Sequence, residues 1–340
     1  MKASGVQTVC YVLTSDGTDS YADMNLISAW SVRQSNPQVR IVIFSDIGTK
    51  RALEAAQHPI LTEVDEFRVV KTPVQSAGFT NRFIKTSLRR WIEGAFLFLD
   101  GDTLVRGDLS PVFEMNAALA GVANHSGSGH PSEMPETESA VFKEMGWDLP
   151  ETYYVNGGVL FFSDHPDAYR FCELWHKRWL ECSGKTGRHF DQVSLNRSLA
   201  DSGSDFAWLD GRFNAQVHAR PACAWGAAIW HIYLSGHHVS PKTVLDDCLN
   251  QMRRGQPVNR SMVAEVCQRE HPWLISNPID WFAVGGFHRH QQLLDGTGWE
   301  HLWLADEHLK AIKKILGIRR RIRNRVFRLF RIPASSNVTK

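Results

Sequence analysis

Five consecutive apolar residues, 95–99, are followed at once by Asp100, Gly101 and Asp102. A strand without a polar residue is typical of a parallel sheet that is covered on both faces. A helical pattern at residues 80–93 precedes this run, as in an alternating α/β chain. Because ligands of open α/β sheets bind beyond the carboxyl ends of the strands, we expect a functional cluster at the two aspartates.

Two earlier segments predict the same α/β fold class. Residues 9–13 and 39–44 are short, apolar-rich runs that indicate buried strands, and residues 21–34 between them have apolar side chains at helical spacing. This βαβ unit predicts a parallel strand pair with a right-handed crossover. Further elements are expected as follows: helices at 49–57, 166–182 and 191–200, a strand at 159–162, and a loop or lid at 124–138.

Asp100 and Asp102 have the residue type and the spacing of a divalent-cation site. Two carboxylates one residue apart can chelate one ion, and Gly101 allows the backbone between them to turn sharply. Such oxygen ligands suit Mg²⁺ or Mn²⁺ bound also by a diphosphate, whose developing negative charge the ion would neutralise. The alternative is structural, because Asp and Gly are also common in ordinary turns after strands.

Four segments carry motifs in a fixed order: residues 85–105 with the Asp-x-Asp motif, 154–160, 190–196 and 230–236. In this order they resemble the motifs of GT-A glycosyltransferases, especially the family 8 retaining galactosyl- and glucosyltransferases that include glycogenin. The resemblance covers residues 8–240. It implies the GT-A fold, which has a Rossmann-like, mostly parallel central sheet flanked by helices, and a nucleotide-diphosphate sugar as the donor.

The resemblance also implies roles for individual residues. Asp100, Asp102 and His231 would bind the metal, and the imidazole favours Mn²⁺ over Mg²⁺. Asp191 and Gln192 would be the catalytic pair, with Asp191 on sugar hydroxyls and Gln192 near the anomeric carbon. The implied donor-binding residues are Thr14, Ser15, Asp16, Arg82, Lys85, Asp100, Gly101, Asn156, Gly157, Gly158, Gly236 and His237.

The chain departs from the family pattern after His231. The family continues with glycine, lysine, proline and tryptophan, whereas Gly236 is followed here by His237 and His238. The lysine that would hold the diphosphate is therefore missing or displaced. We expect His237 or Lys242 to take its place.

Basic residues are concentrated near the C-terminal end of the sequence. Residues 310–340 contain eleven of the 38 lysines and arginines and none of the 36 acidic residues, so the preceding residues carry a net charge of −9. From Ile318, apolar residues recur at helical spacing among seven arginines, which predicts a basic amphipathic helix on an anionic membrane surface. RNA binding and docking on the acidic body are the alternatives. We expect a GT-A domain at residues 1–305 and a basic tail at 306–340.

The cysteines and the hydropathy indicate the compartment. Six cysteines are scattered without a CxxC pair, which predicts reduced and mostly buried thiols. No apolar run approaches the ~18 residues of a membrane span. We expect a cytoplasmic protein that is peripheral on the inner face of a membrane.

The sequence thus predicts a metal-dependent hexosyltransferase that moves a hexose, with retention, from a UDP-sugar to a glycan or glycolipid acceptor. One alternative is an inverting GT-A transferase in which Asp191 is the base. A second is a sugar-phosphate nucleotidyltransferase, although that class has a basic, Gly-rich first loop and residues 14–20 contain no Lys or Arg. A third is a nucleic-acid-binding protein that uses the tail, but the acidic body argues against a nucleic-acid partner.

Overall fold

The computed structural model describes residues 6–124, 134–150, 154–233, 241–276, 280–281 and 284–285. All of them belong to Met1–Gly285, the first of the two units into which the chain divides. The predicted domain boundary at residue 305, the basic tail and most of the predicted loop at 124–138 lie outside the described residues, so these stay predictions. Within the described ranges, no helix has the length and apolar character needed to cross a membrane.

The described residues form ten strands, arranged in two sheets. The strands are β1 (Thr8–Leu13), β2 (Arg40–Ser45), β3 (Glu66–Val69), β4 (Phe96–Leu99), β5 (Thr103–Val105), β6 (Leu119–Ala123), β7 (Val155–Phe162), β8 (Phe206–Trp208), β9 (Ala215–Gln216) and β10 (Ile229–His231). Seven of them form the main sheet in the order β3-β2-β1-β4-β7-β6-β8. Strand β7 is antiparallel to both neighbours, and the other neighbouring pairs are parallel. This mostly parallel sheet confirms the predicted fold class.

Helices cover both faces of the main sheet. They are α1 (Tyr21–Ser35), α2 (Ile47–Ala55), α3 (Ile60–Glu63), α4 (Ala77–Thr86), α5 (Ser110–Phe113), α6 (Glu136–Met145), α7 (Pro166–Thr186), α8 (Asp191–Ser202), α9 (Val244–Arg253) and α10 (Arg260–Cys267). Helix α7 has ordinary end signals, since proline occupies its first position and Gly187, with φ +66°, ends it. The Ser76 side chain accepts from Phe79 N–H at the start of α4.

The wholly apolar sequence of β4 follows from its place in the middle of the main sheet. Leu97 and Leu99 point into one buried cluster with α1, α9 and α10. Phe96 and Phe98 point into a second cluster with α4, α7 and α8 on the opposite face. Because successive side chains of a strand alternate between faces, both sets must be apolar.

The second sheet brings the end of β4 next to a distant segment. It has three strands in the order β5-β10-β9. Strand β5 begins directly after the two aspartates, and its antiparallel register with β10 pairs Thr103 with His231. The pairing therefore places the Asp-x-Asp turn beside the end of β10.

Several predicted elements agree closely with the structure, and three do not. Strands β1 and β4 and helix α1 match their predicted ranges to within about one residue. The helix predicted at 80–93 is wrong at its end, because α4 stops at Thr86 and a 3-10 helix, Leu88–Arg90, follows. The Thr86 hydroxyl donates to the Arg82 carbonyl at 2.8 Å, and such bonds compete with helix propagation.

The other two differences concern segments rich in glycine or proline. Strand β7 begins at Val155 rather than at 159, since Val155 pairs with Ala123 and the glycines that follow it are part of the strand. The loop predicted at 124–138 is wrong for its last residues, because α6 begins at Glu136 after Pro135. Glu136 and Glu138 lie in the first turn of α6, where acidic side chains stabilise the positive end of the helix dipole.

Candidate active site

The backbone fixes the two aspartates at the junction of the two sheets. Asp100 follows β4, and its N–H donates to the Gly158 carbonyl of β7 at 2.8 Å. The Asp102 carbonyl accepts from the N–H of Ile232, directly after β10, at 2.9 Å. These bonds hold the aspartates close to His231, although the segments are far apart in the sequence.

Asp100, Asp102 and His231 form the candidate metal site. One possible ligand atom from each lies within 4.8 Å of the other two. Asp102 Oδ1 is 3.3 Å from His231 Nε2, yet this buried oxygen has no hydrogen-bond partner. Burying an ionised oxygen without a partner costs free energy. The cluster therefore has an unsatisfied ligand atom at the point where a cation would bind.

The distance and the residue types fit a divalent cation. An octahedral ion with bonds of about 2.1 Å places neighbouring ligand atoms about 3 Å apart, close to the 3.3 Å between Asp102 Oδ1 and His231 Nε2. Burial opposes the charged form of both side chains, but their attraction lowers the pKa of Asp102 and raises the pKa of His231. A proton and a cation would thus compete for this site. The three side chains could hold a metal ion.

Two glycines are required for the packing around this cluster. A Cβ atom on Gly158 would lie 2.3 Å from Cε1 of the His231 ring. A Cβ atom on Gly101 would lie 2.3 Å from Nδ2 of Asn25. Both positions thus let the protein's own side chains approach the backbone, and the predicted contacts of these glycines with the donor stay predictions.

A group of charged side chains lies beside the metal site. Lys85 Nζ is 2.7 Å from Asp191 Oδ2 and 3.1 Å from Asp100 Oδ1, and Lys85 is only 4% exposed. Arg82 Nε is 3.0 Å from Asp191 Oδ1. Burial would raise the pKa of Asp191, but Lys85 and Arg82 hold it at about 2. Asp191 is therefore ionised at neutral pH, and Lys85 links it to the metal site.

Both the oxygen and the nitrogen of the Gln192 side-chain amide form hydrogen bonds. Its Oε1 accepts from Gly157 N–H at 2.9 Å, and its Nε2 donates to Glu138 Oε2 at 3.2 Å. The Tyr154 hydroxyl donates to the same Glu138 oxygen at 2.5 Å. Burial raises the pKa of Glu138 and, together with the nearby Glu138 carboxylate, raises that of Tyr154 well above its usual value. These contacts fix the orientation of Gln192.

A cleft of about 520 Å³ lies over the metal site, a volume common for small-molecule sites. Five predicted site residues line it: Thr14, Arg82, Asp100, Gly101 and Asp102. Further lining residues are Asp19, Tyr21, Asn25, Asn81, His189 and Phe190. Most of these lining residues are polar, and Tyr21 and Phe190 add exposed aromatic rings.

The described residues of the predicted site that do not line the cleft are Ser15, Asp16, Lys85, Asn156, Gly157, Gly158, Asp191, Gln192 and His231. Ser15 and Asp16 are engaged in their own loop: Ser15 Oγ donates to Asp19 Oδ1 at 3.0 Å, and Asp16 Oδ1 accepts from Thr18 N–H at 2.8 Å. Gly236 and His237 lie outside the described residues. Their predicted donor contacts stay predictions.

Asn25 and Glu138 are among the site residues that the sequence did not predict. Asn25 is 4% exposed on the buried face of α1, which also contains Ser28 and Ser31. The amide between the apolar Met24 and Leu26 was the available indication in the sequence. Glu138 was assigned to a loop. Its signal was weaker, because only the acidic residues after Pro135 mark the helix start.

Comparisons with known proteins identify the fold. No protein-family model and no curated protein matches the chain. Among solved structures, the glycosyltransferase GlyE of Streptococcus pneumoniae is similar at a TM-score of 0.50 and 15% identity, over 79% of this chain and 65% of that one. This chain has the GT-A glycosyltransferase fold.

Two further solved structures are similar to this GT-A chain. One is the galactosyltransferase LgtC in complex with donor and acceptor sugar analogs, at a TM-score of 0.47 and 16% identity, over 82% of this chain and 99% of LgtC. The other is mouse xyloside xylosyltransferase 1, at a TM-score of 0.46 and 12% identity, over 67% of this chain and 97% of that one. In this GT-A chain the Asp-x-Asp turn follows the central strand β4, where α/β sheets bind ligands.

Proposed function

We propose that this chain is a metal-dependent hexosyltransferase that transfers a hexose from a UDP-sugar to a glycan or glycolipid acceptor with retention of configuration. The proposal rests on the proximity of Asp100, Asp102 and His231, of which the two aspartates line the cleft. Mn²⁺ is the proposed ion because the ligand set includes an imidazole, and Mg²⁺ is the alternative.

The bound cation would neutralise charge on the leaving nucleotide diphosphate. Arg82 lines the cleft with a side chain that is 40% exposed. Its Nε contacts Asp191 and its Nη1 donates to Asn81, so the proposed donor to the diphosphate is Nη2. Lys85 is already used by two carboxylates, and we assign it to holding Asp100 and Asp191 in place. Thr14 is the proposed contact with the nucleoside, and Gly236 and His237 remain proposed diphosphate contacts.

Asp191 and Gln192 are the proposed catalytic pair. Asp191 accepts hydrogen bonds from sugar hydroxyls, and Gln192 lies beside the anomeric carbon with its amide fixed by Gly157 and Glu138. The inverting alternative needs Asp191 as a general base, and a base works best when its pKa is near the working pH. A pKa of about 2 makes Asp191 a weak base, which favours the retaining reaction.

A donor screen tests the proposal. We expect Mn²⁺-dependent release of nucleoside diphosphate from a UDP-sugar, and we expect Asp102→Ala to abolish it while Asp108→Ala, an exposed aspartate outside the cleft, does not. Equal release by wild type and Asp102→Ala would reject the metal site. Release of pyrophosphate from a sugar phosphate and UTP would instead favour the nucleotidyltransferase, and the anomer of the product separates retention from inversion.

The membrane partner is proposed from the sequence of the basic tail. Each arginine near an anionic surface adds on the order of 1 kcal/mol, so several together would hold the protein reversibly on the inner face of a membrane. Deletion of residues 318–340 should therefore abolish binding to vesicles that contain phosphatidylserine. Unchanged vesicle binding would reject this role.

A further inference from the structure

The two ring nitrogens of His231 have different neighbours. Nε2 is 3.3 Å from Asp102 Oδ1 in the metal site, and Nδ1 is 2.9 Å from Asn214 Oδ1. A ring nitrogen binds a cation through its lone pair, so the proton of the neutral imidazole must be on the other nitrogen. Whether Nδ1 holds that proton depends on which atom the Asn214 amide presents to it.

The orientation of the Asn214 amide is set by Asn156. Asn214 Nδ2 donates to Asn156 Oδ1 at 2.9 Å. The same oxygen accepts from Gly158 N–H at 2.9 Å, and a backbone N–H can only donate. Asn214 must therefore present its N–H group to Asn156 and its oxygen to His231. Because an amide oxygen can only accept, the proton of His231 is on Nδ1.

The contacts of Asn156 with Gln216 and Asn124 require the same orientation of the Asn156 amide. Asn156 Nδ2 donates to Gln216 Oε1 at 3.2 Å and to Asn124 Oδ1 at 3.1 Å. Gln216 Nε2 in turn donates to the Ala123 carbonyl at 3.1 Å, which can only accept. The two hydrogens and two lone pairs of the Asn156 amide are thus all used within the protein.

The geometry points to a role for Asn156 and Asn214 as positioning residues that keep the proton of His231 on Nδ1 and leave Nε2 free for the cation. This role replaces the sugar contact expected for Asn156, whose amide has no group left for a ligand. The inference rests on the metal site of the proposed function, but it does not depend on which sugar is transferred.

Two substitutions of Asn214 test separately the effect of its hydrogen-bond acceptor and the effect of its side-chain size. Asn214→Asp keeps an oxygen for the Nδ1 proton, whereas Asn214→Leu has a similar size and no acceptor. We expect Asn214→Leu to raise the Kd for Mn²⁺, measured by electron paramagnetic resonance, about 10–100-fold. Asn214→Asp should stay near the wild-type Kd, with some loss of stability because its second oxygen faces Asn156 Oδ1.

Nitrogen NMR of histidine-labelled, metal-free protein at alkaline pH reads the tautomer directly. Wild type and Asn214→Asp should hold the His231 proton on Nδ1, and Asn214→Leu should show both tautomers. Asn156→Leu, which leaves His231 contacts intact but releases the Asn214 amide, should shift the tautomer in the same direction. The matched control is Asn36→Leu, because Asn36 is a buried amide (1% exposed) that bonds Gly107 and Leu109; it should lower stability without changing tautomer or Kd.

An unchanged tautomer and Kd in Asn214→Leu would overturn the inference, as would an Asn214→Asp protein that loses Mn²⁺ to the same extent as Asn214→Leu. Wild-type protein that binds no Mn²⁺ would instead reject the metal site. The two failures are distinguishable, since the tautomer is recorded without metal.

Discussion

The Lys85 ammonium group contacts two carboxylates that come from different parts of the chain. It lies between Asp100 and Asp191 and is almost fully buried. Burial alone would lower its pKa, but the two carboxylates raise it. The charge of Lys85 is therefore retained at neutral pH, and it offsets the repulsion between the carboxylates of Asp100 and Asp191.

Removal of this buried charge should be costly. We expect Lys85→Met to lower the free energy of unfolding by about 3–5 kcal/mol, because it leaves buried carboxylates without their partner. The control is Lys50→Met, whose Nζ is 3.7 Å from Glu54 with both side chains over one third exposed, and which should cost less than about 1 kcal/mol. Urea denaturation measures both. Equal losses in the two variants would contradict the role assigned to Lys85.

For single residues, the sequence predicted those that belong to motifs but not the side chains that hydrogen-bond to them. Asp100, Asp102 and His231 were identified because residue type and motif order pointed to one chemistry. The partners of Asn156 could not be identified, since Gln216 and Asn214 are 60 and 58 residues away along the chain. Amides are common in loops, and no spacing indicates which of them meet.

Strand β7 joins the proposed catalytic pair, Asp191 and Gln192, to the candidate metal site. Its residue Gly157 bonds Gln192, and Gly158 packs against His231 and accepts from Asp100 N–H. Successive residues of one strand thus contact the two halves of the site. The geometry of the site therefore depends on the register of β7.

The two neighbouring glycines should respond differently to an added methyl group. Gly158→Ala should lower stability by about 1–3 kcal/mol through overpacking and weaken Mn²⁺ binding, because its Cβ would lie 2.3 Å from the His231 ring. Gly157→Ala should leave the Kd for Mn²⁺ unchanged, since its nearest contact would be 3.4 Å. Calorimetric titration with Mn²⁺ compares the two. Equal effects of the two substitutions on the Kd for Mn²⁺ would show that the position of the His231 ring does not depend on its contact with Gly158.

Among the elements, the apolar strands that are buried on both faces were predictable, and the strands of the small sheet were not. Strands β1 and β4 are runs of apolar residues that are buried on both faces, so composition alone reveals them. Strands β5, β9 and β10 have three residues or fewer, too short for a periodic pattern. Yet the β5–β10 pairing brings His231 to the aspartates.

The free energy of unfolding should depend on pH through the buried carboxylate of Asp191. Asp191 has a pKa of about 2 in the folded protein and about 3.9 in an unfolded chain. Its ionised form therefore contributes stability above pH ~4, which is lost as the pH falls through 4 towards 2. The full loss amounts to about 2–3 kcal/mol.

Unfolding in urea at a series of pH values tests this contribution. Wild type should lose more stability between pH 4 and pH 2 than Asp191→Asn, because the unfolded state of wild type takes up one more proton in that range. Asp191→Asn should already be less stable at pH 7, since Lys85 and Arg82 then lack a buried counter-charge. Parallel pH curves for the two proteins would contradict the assigned pKa.

The GT-A fold of the described residues was predictable because four ordered motifs of the sequence resemble those of that fold. The proposed function rests on one point of that fold, the group of Asp100, Asp102 and His231 that could hold a cation. Anomalous diffraction from crystals grown with Mn²⁺ and UDP tests it most directly. We expect a manganese peak bonded to Asp102 Oδ1 and His231 Nε2, whereas UDP in the cleft with no peak between those atoms would contradict the proposed metal site.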